Sequence, residues 1–287
     1  VNWILQDSYG YMWFGTGGNG VNKFNAYDFK VYKHNPKDEN SIANNSTRFI
    51  YEDKQKNLWI GMQGTLNRYI RETDNFLRIA GLPNKHCVGV FETSGGVLYA
   101  ISYNDIYILN RDDNTIESLC DSVAGCFTDI FTGAIIEDDW GNLWMGSTGG
   151  IYRYNVETNE LTAFKHNPDD PNTLNDNVTE CMTKDKLGRV WIGTGAGGLS
   201  LMQFPDGNNS TPHFTNFIHD PADPNSINSR SILSLLDDGE GRLWIGLENG
   251  GLDIVEFESI ENGKPVFKHY TNKKYNEKSL SGNSMYK

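Results

Sequence analysis

Three sets of residues in this chain of 287 have the types that carry chemistry: six histidines, turns rich in aspartate, and seven tryptophans. His34, His166, His219 and His269 read as one recurring position, each just after a short β-like run. A side chain that recurs in this way suits a loop-stabilising role better than acid–base catalysis. His86 and His213 do not recur, and neither has a convincing partner in the sequence. No G-x-S-x-G elbow and no H-E-x-x-H zinc helix occurs. Turns such as Asp138-Asp139-Trp140-Gly141-Asn142 and Asp237-Asp238-Gly239-Glu240-Gly241 suggest calcium, but a calcium loop needs several oxygen ligands converging from alternate positions. The element that recurs is one Asp and one Gly, which a turn alone requires. A row of indoles could stack sugars, yet its regular recurrence points to packing. The expectation is therefore no catalytic residue, no metal and no cofactor in this stretch.

The elements behind these residues form an internal repeat, which has to be sought before any other pattern. Asp7 to Trp13, Asp53 to Trp59, Asp138 to Trp144, Asp185 to Trp191 and Asp238 to Trp244 share an Asp, a turn and a Trp six positions on. A degenerate copy carries Thr93 and Tyr99. The anchors Trp13, Trp59, Tyr99, Trp144, Trp191 and Trp244 are 46, 40, 45, 47 and 53 residues apart. Glycine precedes the anchor by three residues except at Lys56, as a hairpin with a left-handed residue demands. Around each anchor lie four short strand-like runs, with no helical periodicity between them. The expected class is all-β, a β-propeller of four-stranded antiparallel blades. Six blades are expected at about 1–42, 43–83, 84–120, 121–174, 175–227 and 228–280. Residues 281–287 would begin the first strand of a seventh, so the stretch looks like a piece of a longer chain, with the parent ring closing at seven. The second strand is apolar on consecutive positions (Leu58-Trp59-Ile60), which suits a sheet buried on both faces. Gly15, Gly61, Gly146, Gly193 and Gly246 follow the anchor by two and are expected to make room for a large side chain of the neighbouring blade; Ile101 stands there in the third blade.

Composition limits the partners. The net charge is −12, which argues against nucleic acid or an anionic membrane surface, since both need clustered Lys and Arg. There is no run of about 18 apolar residues and no charged-then-apolar leader segment. Cys87, Cys120, Cys126 and Cys181 are too few for a disulfide scaffold and lack zinc-site spacing. Cys120 and Cys126 could bridge in an oxidising compartment, and the cysteines alone leave that open.

The blade signature, as in Asp185-Lys186-Leu187-Gly188-Arg189-Val190-Trp191-Ile192-Gly193-Thr194, resembles the two-component regulator propeller repeat. The linkers His34-Asn35-Pro36, His166-Asn167-Pro168 and His219-Asp220-Pro221 fit it too. Such repeats fill the periplasmic sensor half of hybrid two-component systems in glycan-degrading gut bacteria. The resemblance implies two seven-bladed propellers, a small β-sandwich, a membrane span, a histidine kinase, a receiver and a DNA-binding domain in the parent. It implies a periplasmic module that binds a glycan-derived oligosaccharide, or relays its binding, within a homodimer. The second propeller and the kinase region of the same parent chain would be its partners. A passive protein-interaction scaffold is the alternative, and a propeller lyase a further one.

Recognition should sit where the blades differ. The loops between second and third strands share an end with the segments entering each inner strand, and in a propeller that end opens on the central channel. Its variable positions are Asn19, Gln63, Tyr103, Asn104, Ala196, Glu248 and Asn249, with Asn44, Asn45, Arg48, Asn177 and Arg230 beside the inner strands. Their amide, aromatic and guanidinium groups suit neutral or acidic sugars.

Overall fold

Every repeat folds as the alternation of apolar runs and turn residues requires, into a meander of four antiparallel strands. The computed structural model describes residues 1–82, 87–103, 105–121, 129–204 and 211–285. His86, Asn104 and Cys126 lie outside the described residues. The chain divides into two compact units, residues 1–128 and 129–287. In the first unit, β1 (Trp3–Gln6), β2 (Met12–Gly15), β3 (Val21–Phe24) and β4 (Phe29–Tyr32) form one sheet. The second sheet holds β5 (Thr47–Glu52), β6 (Leu58–Met62), β7 (Thr65–Ile70) and β8 (Asn75–Arg78). The third holds β9 (Cys87–Glu92), β10 (Leu98–Ser102), β11 (Ile106–Leu109) and β12 (Ile116–Ser118).

The second unit repeats the plan. Its sheets are β13 (Phe131–Glu137), β14 (Leu143–Ser147), β15 (Gly150–Asn155) and β16 (Glu160–Phe164); β17 (Thr179–Lys184), β18 (Val190–Thr194), β19 (Leu199–Gln203) and β20 (His213–Phe217); and β21 (Ile232–Asp237), β22 (Arg242–Leu247), β23 (Gly251–Glu256) and β24 (Phe267–Tyr270). A single short helix, α1 (Phe257–Glu261), interrupts the last sheet among the described residues. Six four-stranded antiparallel blades confirm the expected all-β propeller class. Residues 281–285 make the bonds that lead into an inner strand: Gly251 N donates to Asn283 O at 2.8 Å and Met285 N to Leu247 O at 3.1 Å. Gly20 N to Asn45 O and Thr47 N to Thr16 O are their counterparts at the second blade, both 2.8 Å.

Within each unit the core lies between consecutive sheets. Trp13 packs with Ile50, Leu58 and Ile60 of the following sheet, and Trp59 with Leu98 and Ala100. Trp144 meets Val190 and Ile192, and Trp191 meets Leu243 and Ile245. All four indoles are fully buried. Trp244, which no later sheet covers among the described residues, is only half-buried.

The glycines after the anchors have a more specific use than expected. Gly193 makes room for Ile232 of the next blade, as expected, together with the Cys181 thiol of its own blade, whereas Gly146 makes room for Thr179, a smaller β-branched side chain of the next blade. Gly61 faces a large side chain, but one of its own blade: it pairs across the β5–β6 ladder with Phe49, whose ring a Cβ would overlap. In the third blade the volumes are exchanged, with Gly89 on the inner strand opposite Ile101. Each pair keeps one large and one absent side chain, so the space between blades is filled either way. Gly61→Ala is therefore expected to destabilise the chain by about 1–3 kcal/mol, read by urea unfolding. Phe49→Ala in the same chain should remove most of that strain, since the two sites are in contact.

Candidate ligand-binding rim

Two ends of each blade have to be told apart, and the repeated chemistry lies at the first. There the anchor aspartate closes the β1–β2 type of turn. Asp53 accepts the Trp59 indole N–H at 2.9 Å on Oδ2, and the Gln55 and Asn57 backbone N–H at 3.0 and 2.8 Å on Oδ1. Asp7, Asp138, Asp185 and Asp238 hold Trp13, Trp144, Trp191 and Trp244 in the same way, at 2.9–3.1 Å. Thr93 offers no carboxylate and Tyr99 no indole N–H, so the degenerate copy loses donor and acceptor together and leaves neither stranded. The residue three before the anchor has positive φ in every copy, Lys56 included at 68°. These residues build the blade, as their recurrence implies.

Two arginines stitch these turns across neighbouring blades of the first unit. Arg71 donates to Asp7 Oδ2 and Glu52 Oε1, both at 2.8 Å. Arg111 donates to Asp53 Oδ2 at 2.9 Å and Glu92 Oε1 at 2.6 Å. Sequence reading missed both, although each stands twelve residues after its anchor, Trp59 or Tyr99. Burial alone would raise the carboxyls of Asp7 and Asp53, but the arginine, indole and backbone donors outweigh it and hold both below the ordinary value. Lys30, Tyr32 and Tyr69 likewise hold Asp74 at about 2 against the effect of burial. Folded values below the unfolded ones mean that this stability is complete above about pH 4 and lost as pH falls through the folded values. Urea midpoints should therefore decline from pH 4 to pH 2, and less steeply in Asp53→Asn; a flat profile would contradict the assignment.

The histidines divide. His34, His166 and His219 bond through Nδ1 to the carbonyls of Ile42, Leu174 and Ile227 at 2.9, 2.6 and 2.8 Å, closing the linker before the next inner strand. His269 does not occupy that position, which corrects the expectation. It lies within β24 and bonds Asp253 Oδ1 at 2.7 Å and Pro224 O at 3.1 Å. Asn272 takes the linker position instead, donating from its side chain to Leu280 O. The insertion carrying α1 lengthens this repeat and misaligns a reading by spacing. His213 bonds Asn172.

The opposite end carries the expected rim. Gln63 N donates to Ser46 O at 3.1 Å, Gly195 N to Val178 O at 2.8 Å and Glu248 N to Ser231 O at 3.0 Å, so each second-to-third-strand loop does lie against the segment entering an inner strand. In the first unit Asn19, Arg48 and Gln63 are exposed, and Tyr103 is half-buried. Arg48 stands at a break in the β5–β6 register between Thr47 and Phe49, a bulge that re-aims its side chain. Glu180 and Leu233 occupy the matching breaks in the second unit, a variable position that sequence reading took up only at Arg48. There Ala196, Arg230, Glu248 and Asn249 are exposed. Glu248 Oε2 accepts the Ser231 hydroxyl at 2.9 Å. Ala196 N donates to Asp176 Oδ2 at 2.8 Å.

Three of the expected rim residues have backbone duties. Asn45 Oδ1 accepts His34 N at 2.8 Å and Asn177 Oδ1 accepts His166 N at 2.7 Å, the same staple in two blades. Asn44 Oδ1 accepts Ser46 N at 2.8 Å. Asp129, also missed, accepts the Tyr152 hydroxyl at 2.5 Å where the fourth blade begins. Arg48, Gln63, Arg230 and Glu248 are among the rim groups whose side chains hold no turn amide among the described residues. Among the described residues no cluster of three or more His, Cys, Asp or Glu is arranged to hold a metal ion. Cys120 is disulfide-bonded, whereas Cys87 and Cys181 are in no disulfide. No helix among the described residues is long and apolar enough to cross a membrane.

The comparisons follow the repeat. The family model for the two component regulator propeller matches residues 1–18, 41–64, 173–196 and 226–249, each stretch running from an inner strand through its Asp–Trp turn. Those four stretches match the two component regulator propeller repeat. Among solved structures it is similar to one described as the extracellular domain of a hybrid two-component system from B. thetaiotaomicron. That likeness has a TM-score of 0.74 and 25% identity, and covers 99% of this chain and 36% of the other. A histidine kinase of Formosa agariphila is 28% identical over 165 residues, 53% of this chain and 12% of that protein. This chain therefore spans about a third of the first and about an eighth of the second. Virginiamycin B lyase from Staphylococcus aureus is 13% identical at a TM-score of 0.65, over 95% of this chain and 85% of that one, a likeness of fold alone.

Proposed function

We propose that this chain is the extracytoplasmic ligand-sensing part of a hybrid two-component sensor. It binds a glycan-derived oligosaccharide, or relays its binding, to a histidine kinase in the same parent chain. The observation that carries the reading is the likeness over 99% of the chain to the extracellular domain of a hybrid two-component system. Two features support it. The repeated residues are consumed by blade construction, which leaves Arg48 and Gln63 in the first unit and Arg230 and Glu248 in the second as variable polar groups. The disulfide at Cys120 suits an oxidising, periplasmic compartment. In this reading the oligosaccharide favours one of two arrangements of a homodimer, which a second propeller passes to the kinase; differential affinity for the two is the whole signal. No catalytic step is assigned to the chain.

The test is thermal unfolding with panels of neutral and acidic oligosaccharides. A ligand at 100 times Kd should add about 2.7 kcal/mol to the stability, and Arg48→Ala or Tyr103→Ala should weaken binding if the rim receives it. A melting temperature unmoved by every sugar would overturn the reading in favour of a protein-docking scaffold.

A further inference from the structure

The turn end of the second unit carries a groove of about 480 Å³ between the fourth and fifth blades, lined by Asp139, Trp140, Leu187, Arg189, Gln203 and His213 among others. Its size falls within the range of small-ligand sites. Trp140 is 43% exposed and belongs to no anchor position. It stands two residues after the turn aspartate, where the other blades have Tyr9, Gln55, Gly95, Leu187 and Glu240, so blade construction does not call for an indole there. The indole is nevertheless held firmly. Its backbone N–H donates to Asp138 Oδ1 at 2.9 Å, and its ring meets Phe204 edge-on at 5.2 Å. Phe204 leans in turn on the buried anchor Trp144 at 5.5 Å. Leu187, the matching turn tip of the next blade, is 67% exposed and supplies a second apolar wall.

The first unit provides an internal control. There the corresponding aromatic, Tyr9, is covered by the Arg71 guanidinium at 4.3 Å and the Lys56 ammonium at 5.5 Å. Among the described residues no cation covers Trp140. The groove also has polar atoms to spare. Gln203 is exposed, with no side-chain hydrogen bond among the described residues. Asp139 gives one carboxylate oxygen to Lys184 at 2.9 Å and keeps the other. Arg189 gives Nε to Asp185 and Nη1 to Glu261, while its buried Nη2 has no partner among the described residues. Such a buried donor is costly to leave unmet. A flat apolar platform flanked by acceptors and donors matches a pyranose ring, one face of which is C–H and the rim of which is hydroxyl.

We propose that this groove is a sugar-binding subsite for a neutral pyranose unit, stacked on Trp140 with its hydroxyls on Asp139, Gln203 and Arg189. The carboxylate of Asp139 disfavours a uronate there. This places the ligand class of the sensor reading at a named site away from the rim, and to that extent rests on that reading.

The test is calorimetric titration of the 287-residue chain with neutral malto-, cello-, xylo-, manno- and galacto-oligosaccharides of two to four units. Wild type, Trp140→Ala, Trp140→Phe, Gln203→Ala and Arg48→Ala are compared, each first shown to be folded by its melting curve. The expected result is a neutral sugar whose affinity falls at least tenfold in Trp140→Ala, is largely kept in Trp140→Phe and falls severalfold in Gln203→Ala. Binding unchanged in Trp140→Ala and lost in Arg48→Ala would overturn the subsite and leave the sensor reading in place. Absence of binding by every neutral sugar overturns the subsite; if acidic oligosaccharides also leave the wild-type melting temperature unmoved, the glycan reading falls with it.

Discussion

Asp53→Ala will destabilise the chain by about 3–5 kcal/mol, the usual cost of removing one partner from a buried charged pair. The carboxylate is wholly shielded from solvent, and it serves the Trp59 indole, two turn amides and the Arg111 guanidinium at once. Its removal leaves all four without their acceptor. The loss should exceed that of Asp53→Asn, which keeps one acceptor oxygen but cannot balance Arg111. Urea unfolding followed by tryptophan fluorescence measures both. Losses below about 1 kcal/mol, typical of an exposed pair, would show that the turn does not depend on this residue.

Two tryptophans four residues apart give the second large effect. Trp144→Ala is expected to cost about 3–5 kcal/mol, because a fully buried indole packed against the following blade leaves a cavity that the sheets cannot close. Trp140→Ala should cost about 1 kcal/mol or less, since much of its surface is already wet and its main ring contact is one edge of Phe204. Circular dichroism and melting curves on the pair separate the two roles without any ligand. Similar losses in both would contradict the division between residues that build a blade and residues left for recognition.

Much of this frame is legible in the residues because a propeller repeats its physics. One Asp, one Gly and one Trp at fixed spacing recover four of the six turns outright, and the indole-to-carboxylate bond explains why Thr93 and Tyr99 change together. The linker histidines are legible for the same reason at His34, His166 and His219. His269 is misassigned because the segment with α1 changes the length of its repeat, and spacing is informative only while length is kept. The exchange between Phe49–Gly61 and Gly89–Ile101 depends on which residues face each other across a ladder, and a single-strand pattern does not reveal that. Asn45 and Asn177 read as recognition groups because asparagine suits both sugars and turns; the hydrogen bonds to His34 and His166 show their backbone role. Trp140 was hidden by its neighbours, since a turn with two aspartates draws attention to cations before it draws attention to an indole.

The division of labour between repeated and unrepeated residues is tested most directly by mapping amide shifts in isotope-labelled chain while a binding oligosaccharide is added. The account predicts that the amides that move lie at the rim of the first unit around Arg48 and Gln63, at that of the second around Arg230 and Glu248, or in the groove around Trp140 and Gln203, while those next to Trp13 and Trp59 stay still. Shifts confined to the Asp–Trp turns of the first unit, with neither the rim nor the groove moving, would contradict it.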